Sequence, residues 1–262
     1  MPKKGIDISE FQTVKDYSVL KKNIDFAIIR AGFGFCTIDK EFHRNVYGLR
    51  EAKIPYGCYW FSYACTPDDA RKEAQFFCEL MDNFCQPSLP LFIDWEYDSE
   101  KYARNHGYTI TSAVLKQIVS AFIDECNNYG YECGVYTNPD FIQRYFGSYE
   151  WILNSYPLWL ACWGSKEPYK CDVWQYSSSG RIEGIPGDVD LDYYYGDLPG
   201  KPSDKDFDLI LEELLDKYDE ICFGIMQGEY GSGQERKDKL GKYYDVAQEI
   251  INQVYKIQAG TF

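Results

Sequence analysis

Between residues 3 and 198, short apolar segments alternate with longer amphipathic segments. This alternation is typical of β-strands that alternate with helices in a parallel sheet, so it predicts an α/β fold. Eight of the short segments have the length and apolar character of strands, and that number favours closure into a barrel. The predicted strands are 5–8, 26–30, 55–61, 89–96, 132–136, 158–162, 173–175 and 189–194.

The intervening segments predict only three long helices, at 40–52, 67–84 and 111–129. Pro67 is placed as a first helical residue, Thr111 as a cap and Gly130 as a stop. Beyond residue 136 the connections are short and rich in Tyr, Pro and Gly. The sequence therefore predicts a modified TIM-like (β/α) barrel with an incomplete ring of helices.

The composition changes after the last predicted strand. Residues 199–206 collect Gly, Pro, Ser and Asp without periodicity, which is typical of a linker. The apolar residues then recur at helical spacing to the end of the chain, in 207–217, 219–227, 234–240 and 245–256. We expect a first domain at 1–198, a linker at 199–206 and a small all-α, three-helix domain at 207–262.

Charge and composition limit the classes of molecule that this chain is expected to bind. The chain has 27 Lys and Arg against 41 Asp and Glu, a net charge of −14, which disfavours a phosphate backbone as ligand. The sequence has no uncharged apolar run of the length that spans a bilayer, so we expect neither nucleic acid binding nor membrane insertion. The 24 Tyr and 6 Trp provide flat amphipathic faces of the kind that stack on sugar rings.

The chain has few residues in the patterns that usually bind metal ions, which are Cys pairs and clusters of His. Ten Cys include no CxxC pair, and the chain has two His, so we expect no metal, no cofactor and no Ser/His/Asp triad. The N-terminus runs directly into polar residues without the apolar stretch of a signal peptide. The cysteines are therefore expected to be reduced and mostly buried, as in a protein made in the cytoplasm.

The most informative segment is LPLFIDWEYD, residues 89–98. Asp94 and Glu96 stand at i and i+2 of an apolar strand, which places both on one face with Cα atoms roughly 6.5 Å apart. Two carboxylates this close suit a glycosidase, where one carboxyl donates a proton and the other stays ionised. At an isolated strand end, however, the same residues would often do no more than face water.

Two further acids strengthen the glycosidase interpretation. Asp7 follows a predicted strand, and Asp190 lies in the last one, so three strands could direct carboxylates to one rim. Four carboxylates could instead hold a hard cation such as Mg²⁺ or Ca²⁺. A metal site would not account for the Trp and Tyr residues that lie beside the acids in the sequence.

Seven sequence blocks stand out along the first domain: GIDIS (5–9), FAIIRAGFG (26–34), IPYGCYWFSYA (54–64), LFIDWEYD (91–98), VYTNPDF (135–141), LWLACW (158–163) and VWQYSSSGRIEGIPGDVDLDYYYGD (173–197). In this order they resemble the glycoside hydrolase family 25 lysozymes. The resemblance covers almost the whole first domain and implies an N-acetylmuramidase that cuts the β-1,4 bond after N-acetylmuramic acid in peptidoglycan, with retention.

The resemblance also implies residue roles. Glu96 matches the general acid/base, and Asp94 matches the carboxylate that stabilises an oxazolinium-like intermediate or attacks directly. Asp7 and Asp190 match the two further acids of the rim. Positions that line the family's groove are matched by Arg30, Phe61, Tyr136 and Trp163. Phe61 and Trp163 could equally be core residues, and Arg30 could neutralise a rim acid. Trp60 departs from the family, since many relatives have His there.

The C-terminal stretch 223–255 resembles the CW-seven cell-wall-binding repeat. Gly231, Gly233 and Arg236 lie in its Gly-x-x-Gly-x-Gly-x-x-Arg spacing. The resemblance implies binding of muropeptide, and since a single copy would bind weakly, homo-oligomerisation through this domain would raise the affinity. A stabilising or dimerising helical appendage is the alternative.

Together these features predict a modular peptidoglycan hydrolase of the phage or prophage endolysin type. It would be made in the host cytoplasm without a signal peptide and released to the cell wall at lysis. Two rivals remain open: a non-catalytic glycan-binding protein on the same scaffold, and a chitinase-like hydrolase.

Overall fold

A computed structural model describes residues 2–85, 87–166, 169–198, 229–230, 234–241 and 244. By its internal contacts the chain divides into two compact units, Met1–Gly200 and Lys201–Phe262.

The first unit is built on a closed eight-stranded barrel. The strands of this unit are β1 (Lys3–Ile8), β2 (Phe26–Phe33), β3 (Thr37–Ile38), β4 (Tyr56–Phe61), β5 (Leu91–Asp94), β6 (Cys133–Thr137), β7 (Leu158–Ala161), β8 (Val173–Gly180) and β9 (Val189–Tyr194). Around the barrel they follow one another in the order β1-β9-β8-β7-β6-β5-β4-β2, and β1 pairs with β2 to close the ring. The predicted barrel is therefore confirmed.

The sheet departs from the predicted parallel arrangement at two places. Strand β9 runs antiparallel to both of its neighbours, β1 and β8. Only eight residues separate β8 from β9, which is too few for a crossover helix, so the chain turns back as a hairpin. The short strand β3 was not predicted, and it adds a second hairpin to the end of β2.

The helices lie around this barrel. The three predicted long helices are present, and residues 67–84 are helical as predicted. The Thr66 hydroxyl accepts a hydrogen bond from the Asp69 amide, which caps the helix that Pro67 begins. Four shorter helices and a π-helical turn, Ile142–Phe146, were missed. The helices of this unit are α1 (Tyr17–Leu20), α2 (Phe42–Glu51), α3 (Pro67–Phe84), α4 (Tyr97–Asn105), α5 (Ser112–Asn128), α6 (Pro139–Phe141) and α7 (Tyr149–Ser155).

Apolar side chains fill two separate layers. The larger one lies between the strands and the helices, where α3 packs on α5. The smaller one fills the barrel interior with rings such as Phe26, Phe92 and Trp159. Gly5 sits against the Phe26 ring, where a Cβ atom would have no room. Seven of the nine described cysteines are buried.

Little of the second unit is described. Helix α8 (Gln234–Leu240) coincides with the helix predicted at 234–240. The helices predicted at 207–217, 219–227 and 245–256 and the linker predicted at 199–206 lie outside the described residues. Within the described part of the chain, no helix is long and apolar enough to cross a bilayer.

Candidate active site

A cleft of about 830 Å³ lies where the strands of the barrel end. This is the end at which barrel enzymes place their catalytic groups. All eight site residues predicted in the first domain line this cleft, although they come from six different strands and from loops that follow them. They are Asp7, Arg30, Phe61, Asp94, Glu96, Tyr136, Trp163 and Asp190.

Asp94 and Glu96 both line the cleft, next to the end of a strand. The prediction that both lie within one strand was wrong, because β5 ends at Asp94 and Glu96 is the cap residue of α4. The Ser99 hydroxyl accepts a hydrogen bond from the Glu96 amide at 3.2 Å and fixes this turn. Trp95 points away from the cleft, and its Nε1–H donates to the Ala64 carbonyl at 3.0 Å. A buried tryptophan thus separates two carboxyl groups that share the cleft.

The environment favours the protonated form of both carboxyl groups. Burial raises the pKa of Asp94 well above its ordinary value, the charge of Glu96 raises it further, and Arg30 lowers it. Burial also raises the pKa of Glu96, with smaller contributions from Asp98 and Asp190. Atom Oδ1 of Asp94 is buried and accepts no hydrogen bond from any described residue. The pair is therefore suited to hold one proton that a substrate oxygen can take.

Asp7 and Asp190 occupy paired positions on β1 and β9. Burial raises the pKa of Asp7 strongly, and the charges of Asp192 and Asp190 add to this effect. Burial raises the pKa of Asp190 to about 6. Asp192, which sequence reasoning did not select, is fully buried with a pKa of about 7 and accepts a 2.9 Å hydrogen bond from Trp159 Nε1. The pKa values of all three acids of this wall are therefore raised by burial.

Gln175 links three of the predicted site residues, and sequence reasoning missed it as well. Its Nε2 donates to Asp7 Oδ2 at 2.8 Å. Its Oε1 accepts from the Tyr136 hydroxyl at 3.3 Å and from Trp163 Nε1 at 3.1 Å. The two donors fix which way the amide points, so the NH₂ group must face Asp7. The only sequence signal was its place on the strand between Trp174 and Tyr176.

Arg30 is held by acids rather than directed freely into the cleft. Its Nε bonds Asp39 at 2.7 Å, and a terminal nitrogen bonds Glu10 at 2.9 Å. The rings of Phe11 and Phe33 lie 5.1 and 5.3 Å from the guanidinium carbon. Of the two roles considered for Arg30, this arrangement favours neutralisation of nearby acids.

Comparison with known proteins places this geometry in a family. Residues 6–185 match the sequence model of the glycosyl hydrolases family 25. The match spans more than half of the chain and includes seven of the eight cleft residues named above.

The chain belongs to glycosyl hydrolases family 25.

Relatives within the family are distant in sequence. The uncharacterized protein YegX of Escherichia coli is 27% identical over 203 residues, which are 73% of this chain and 69% of that one. The autolytic lysozyme of Clostridium acetobutylicum is 27% identical over 225 residues, covering 80% and 64%. Among solved structures, the modular autolysin LytC from Streptococcus pneumoniae superimposes with a TM-score of 0.65 at 27% identity. That superposition covers 74% of this chain and 47% of LytC.

A second match lies outside the family 25 region. Residues 219–254 match the CW_7 repeat. Of the residues selected there, Arg236 lies on α8, whereas Gly231 and Gly233 lie outside the described residues.

The family 25 cleft of this chain does not use Trp60, the position that departs from the family pattern. Trp60 is fully buried between strand and helices, against Phe76 and Phe77. Its Nε1 donates to the Gly34 carbonyl at 3.1 Å and ties down the β2–β3 hairpin. Among the residues that the structure describes, no group of His, Cys, Asp or Glu is arranged to hold a metal ion.

Proposed function

We propose that this family 25 member hydrolyses peptidoglycan, at the β-1,4 bond between N-acetylmuramic acid and N-acetylglucosamine. The observation that carries the proposal is the Asp94–Glu96 pair, two carboxyl groups with raised pKa values at the mouth of a closed barrel. The lysozyme and autolysin relatives support the choice of substrate.

Glu96 is the proposed acid and base of the reaction. Its half-buried carboxyl group keeps its proton to higher pH than an exposed glutamate, because burial disfavours the charged form. It protonates the glycosidic oxygen as the bond to the anomeric carbon breaks. The resulting carboxylate then takes a proton from the water that completes hydrolysis with retention.

Asp94 is the proposed anionic partner at the anomeric carbon. The pair holds one proton, which we place on Glu96, so that Asp94 is the carboxylate. Its buried Oδ1 accepts no hydrogen bond from a described residue and is open to the substrate. It either stabilises an oxazolinium-like intermediate formed by the substrate acetamido group or attacks the anomeric carbon directly. Asp7 and Asp190 add negative charge beside the developing positive charge.

The substrate-binding role is assigned to aromatic cleft residues. Phe61 and Trp163 lie at strand ends on the cleft wall, and Trp163 is 65% exposed, as suits a ring that stacks on a sugar. Burial raises the pKa of the Tyr136 hydroxyl, and the charges of the nearby acids Asp94, Glu96 and Asp7 raise it further. Arg30 keeps the Asp94 pKa from rising further.

For the second unit we propose binding to the bacterial wall. The support is the CW_7 match at residues 219–254, within which Gly231, Gly233 and Arg236 are the candidate ligand-binding residues. A single repeat binds weakly, and homo-oligomerisation through this unit would raise the affinity. The endolysin role, with release from the host cytoplasm at lysis, belongs to the same proposal and is supported by endolysins among the similar structures.

One experiment tests the central proposal. Purified cell walls are treated with the protein, and loss of turbidity is followed with mass spectrometry of the released fragments. Fragments that end in reducing N-acetylmuramic acid support the muramidase. Binding without cleavage would instead support a glycan-binding protein, and cleavage of chitin alone would support a chitinase-like enzyme.

A further inference from the structure

A row of aromatic rings leaves the cleft beside Phe61 and continues over the outside of α4. The ring centroid of Phe61 lies 5.2 Å from that of Tyr63, and Tyr63 lies 5.0 Å from Tyr102. Tyr102 in turn lies 4.0 Å from the ring of His106. Phe61 and Tyr63 line the cleft, so the outer aromatic row, Tyr63, Tyr102 and His106, is continuous with it.

The rings of this row are held in place. The Tyr63 amide donates to the buried Glu73 carboxyl at 3.1 Å, which fixes the loop after β4. His106 Nδ1 lies 2.9 Å from the carbonyl oxygen of Tyr102, one helical turn earlier, so this nitrogen carries the hydrogen. The two rings therefore form a tilted pair, with 31° between their planes, that loses little conformational entropy when a ligand binds.

The row is also accessible. Tyr102 is 40% exposed, His106 is exposed and Tyr63 is half-buried. Large apolar side chains at this exposure are ordinary when scattered, but a contiguous set beside a cleft marks a binding surface.

The charges beside the row select the kind of ligand. Asp98 lines the cleft. Burial raises the pKa of the Tyr63 hydroxyl, and the charges of Asp98, Asp94 and Glu96 raise it further, so this region is acidic. An anionic polymer or a stem-peptide carboxylate would be repelled here. The hydroxyl and acetamido groups of a sugar would donate hydrogen bonds to these acids, while the sugar rings contact the aromatic row.

We propose that the outer aromatic row is an additional sugar subsite, which binds the glycan strand beyond the part held in the cleft. This inference rests on the proposed function, because the same strand must be the substrate. The row lengthens the contact with long strands and adds nothing for a fragment short enough to fit inside the cleft.

The test compares KM values for long glycan strands and for short soluble muropeptides. In Tyr102→Ala the ratio of the KM for long strands to that for short fragments is expected to rise about 2- to 10-fold, the range of one aromatic contact. Tyr102→Phe keeps the ring and should keep the wild-type ratio. The matched control is Tyr129→Ala, since Tyr129 is 37% exposed but follows α5 and does not line the cleft.

The outcomes separate this inference from the proposed function. If the wild-type protein cleaves neither substrate, the proposed function is wrong. If it cleaves both and Tyr102→Ala keeps the same ratio as Tyr129→Ala, the muramidase stands and the additional subsite is refuted. A rise in both KM values by the same factor would also refute it, since that result indicates a distorted cleft.

Discussion

Gln175 on β8 donates a 2.8 Å hydrogen bond to Asp7 on β1, across the antiparallel strand β9 that lies between them. This bond lowers the pKa of Asp7, which burial and the neighbouring acids raise. The same side chain accepts hydrogen bonds from Tyr136 and Trp163, so we expect Gln175 to position all three residues.

Replacing Gln175 should change the pH dependence of the reaction. In Gln175→Ala the Asp7 carboxylate loses its donor, so its pKa rises and the acid limb of the kcat/KM profile moves to higher pH. We expect kcat at neutral pH to fall on the order of 10-fold. Tyr136→Phe keeps the hydrogen bond from Gln175 to Asp7, so the acid limb should move less than in Gln175→Ala. A loss of activity at every pH without displacement of the limb would mean that Gln175 acts only in packing.

Glu96→Gln should abolish wall lysis without unfolding the protein. The amide cannot donate the proton that the leaving oxygen requires, so we expect turnover to fall about 10²- to 10⁴-fold. Release of reducing ends is the measurement, with circular dichroism to monitor the fold. Glu51→Gln, at an exposed position at the end of α2, is the control and should keep wild-type activity. Comparable activity in the two variants would exclude Glu96 as the acid.

Asp190 should set the alkaline limit of activity. Its charge contributes to the raised pKa of Glu96, so Asp190→Asn lowers that pKa and moves the alkaline limb of the kcat/KM profile to lower pH. Asp188→Asn is the matched control, because Asp188 is a more exposed acid paired with Arg181. If the alkaline limb of Asp190→Asn lies at the same pH as in the wild type, or at a higher pH, the electrostatic assignment is wrong.

Stability should fall as pH rises through the range in which Asp192 ionises. Burial raises its pKa from 3.8 to about 7, so the folded state binds more protons than the unfolded state between these values. The free energy of unfolding therefore decreases with pH across this window. Asp192→Asn removes this contribution and should raise Tm at pH 8 more than at pH 5. The exposed Asp124→Asn serves as control, and equal changes at both pH values for Asp192→Asn would argue against a buried ionisation.

Removing the second unit should separate binding from catalysis. A protein ending at residue 200 keeps the first compact unit, so we expect wall binding in a pull-down assay to fall more than turnover of soluble muropeptides. Equal loss of both, or loss of neither, would count against a targeting role for residues 201–262.

The barrel and the residues of its cleft could be predicted from the sequence because the end of a strand is recognisable there. Apolar runs that end in Asp94, Phe61 or Tyr136 identify both the strand and the end that faces the cleft. The alternation that placed Asp94 and Glu96 on one side holds although β5 ends between them, since Trp95 turns into the helical layer.

The missed features depend on contacts between distant segments. Gln175 and Asp192 are ordinary strand residues in the sequence, and their importance comes from partners on β1 and β7. The antiparallel direction of β9 follows from its eight-residue connection to β8, which is shorter than the gap between the predicted strands 173–175 and 189–194. Helix α4 was missed because its first residue follows a motif that was interpreted as strand.

The pairing of β1 with β9 has a consequence for how the molecule is made. Asp7 is synthesised almost at once, while Asp190, its neighbour in the barrel, follows 183 residues later. Translation adds about 5–20 residues each second, so roughly 10 s or more pass before the two strands can meet. Until then the nascent chain has an open barrel and lacks one of the four rim carboxylates, so the cleft cannot assemble before the strand that carries Asp190 has been made.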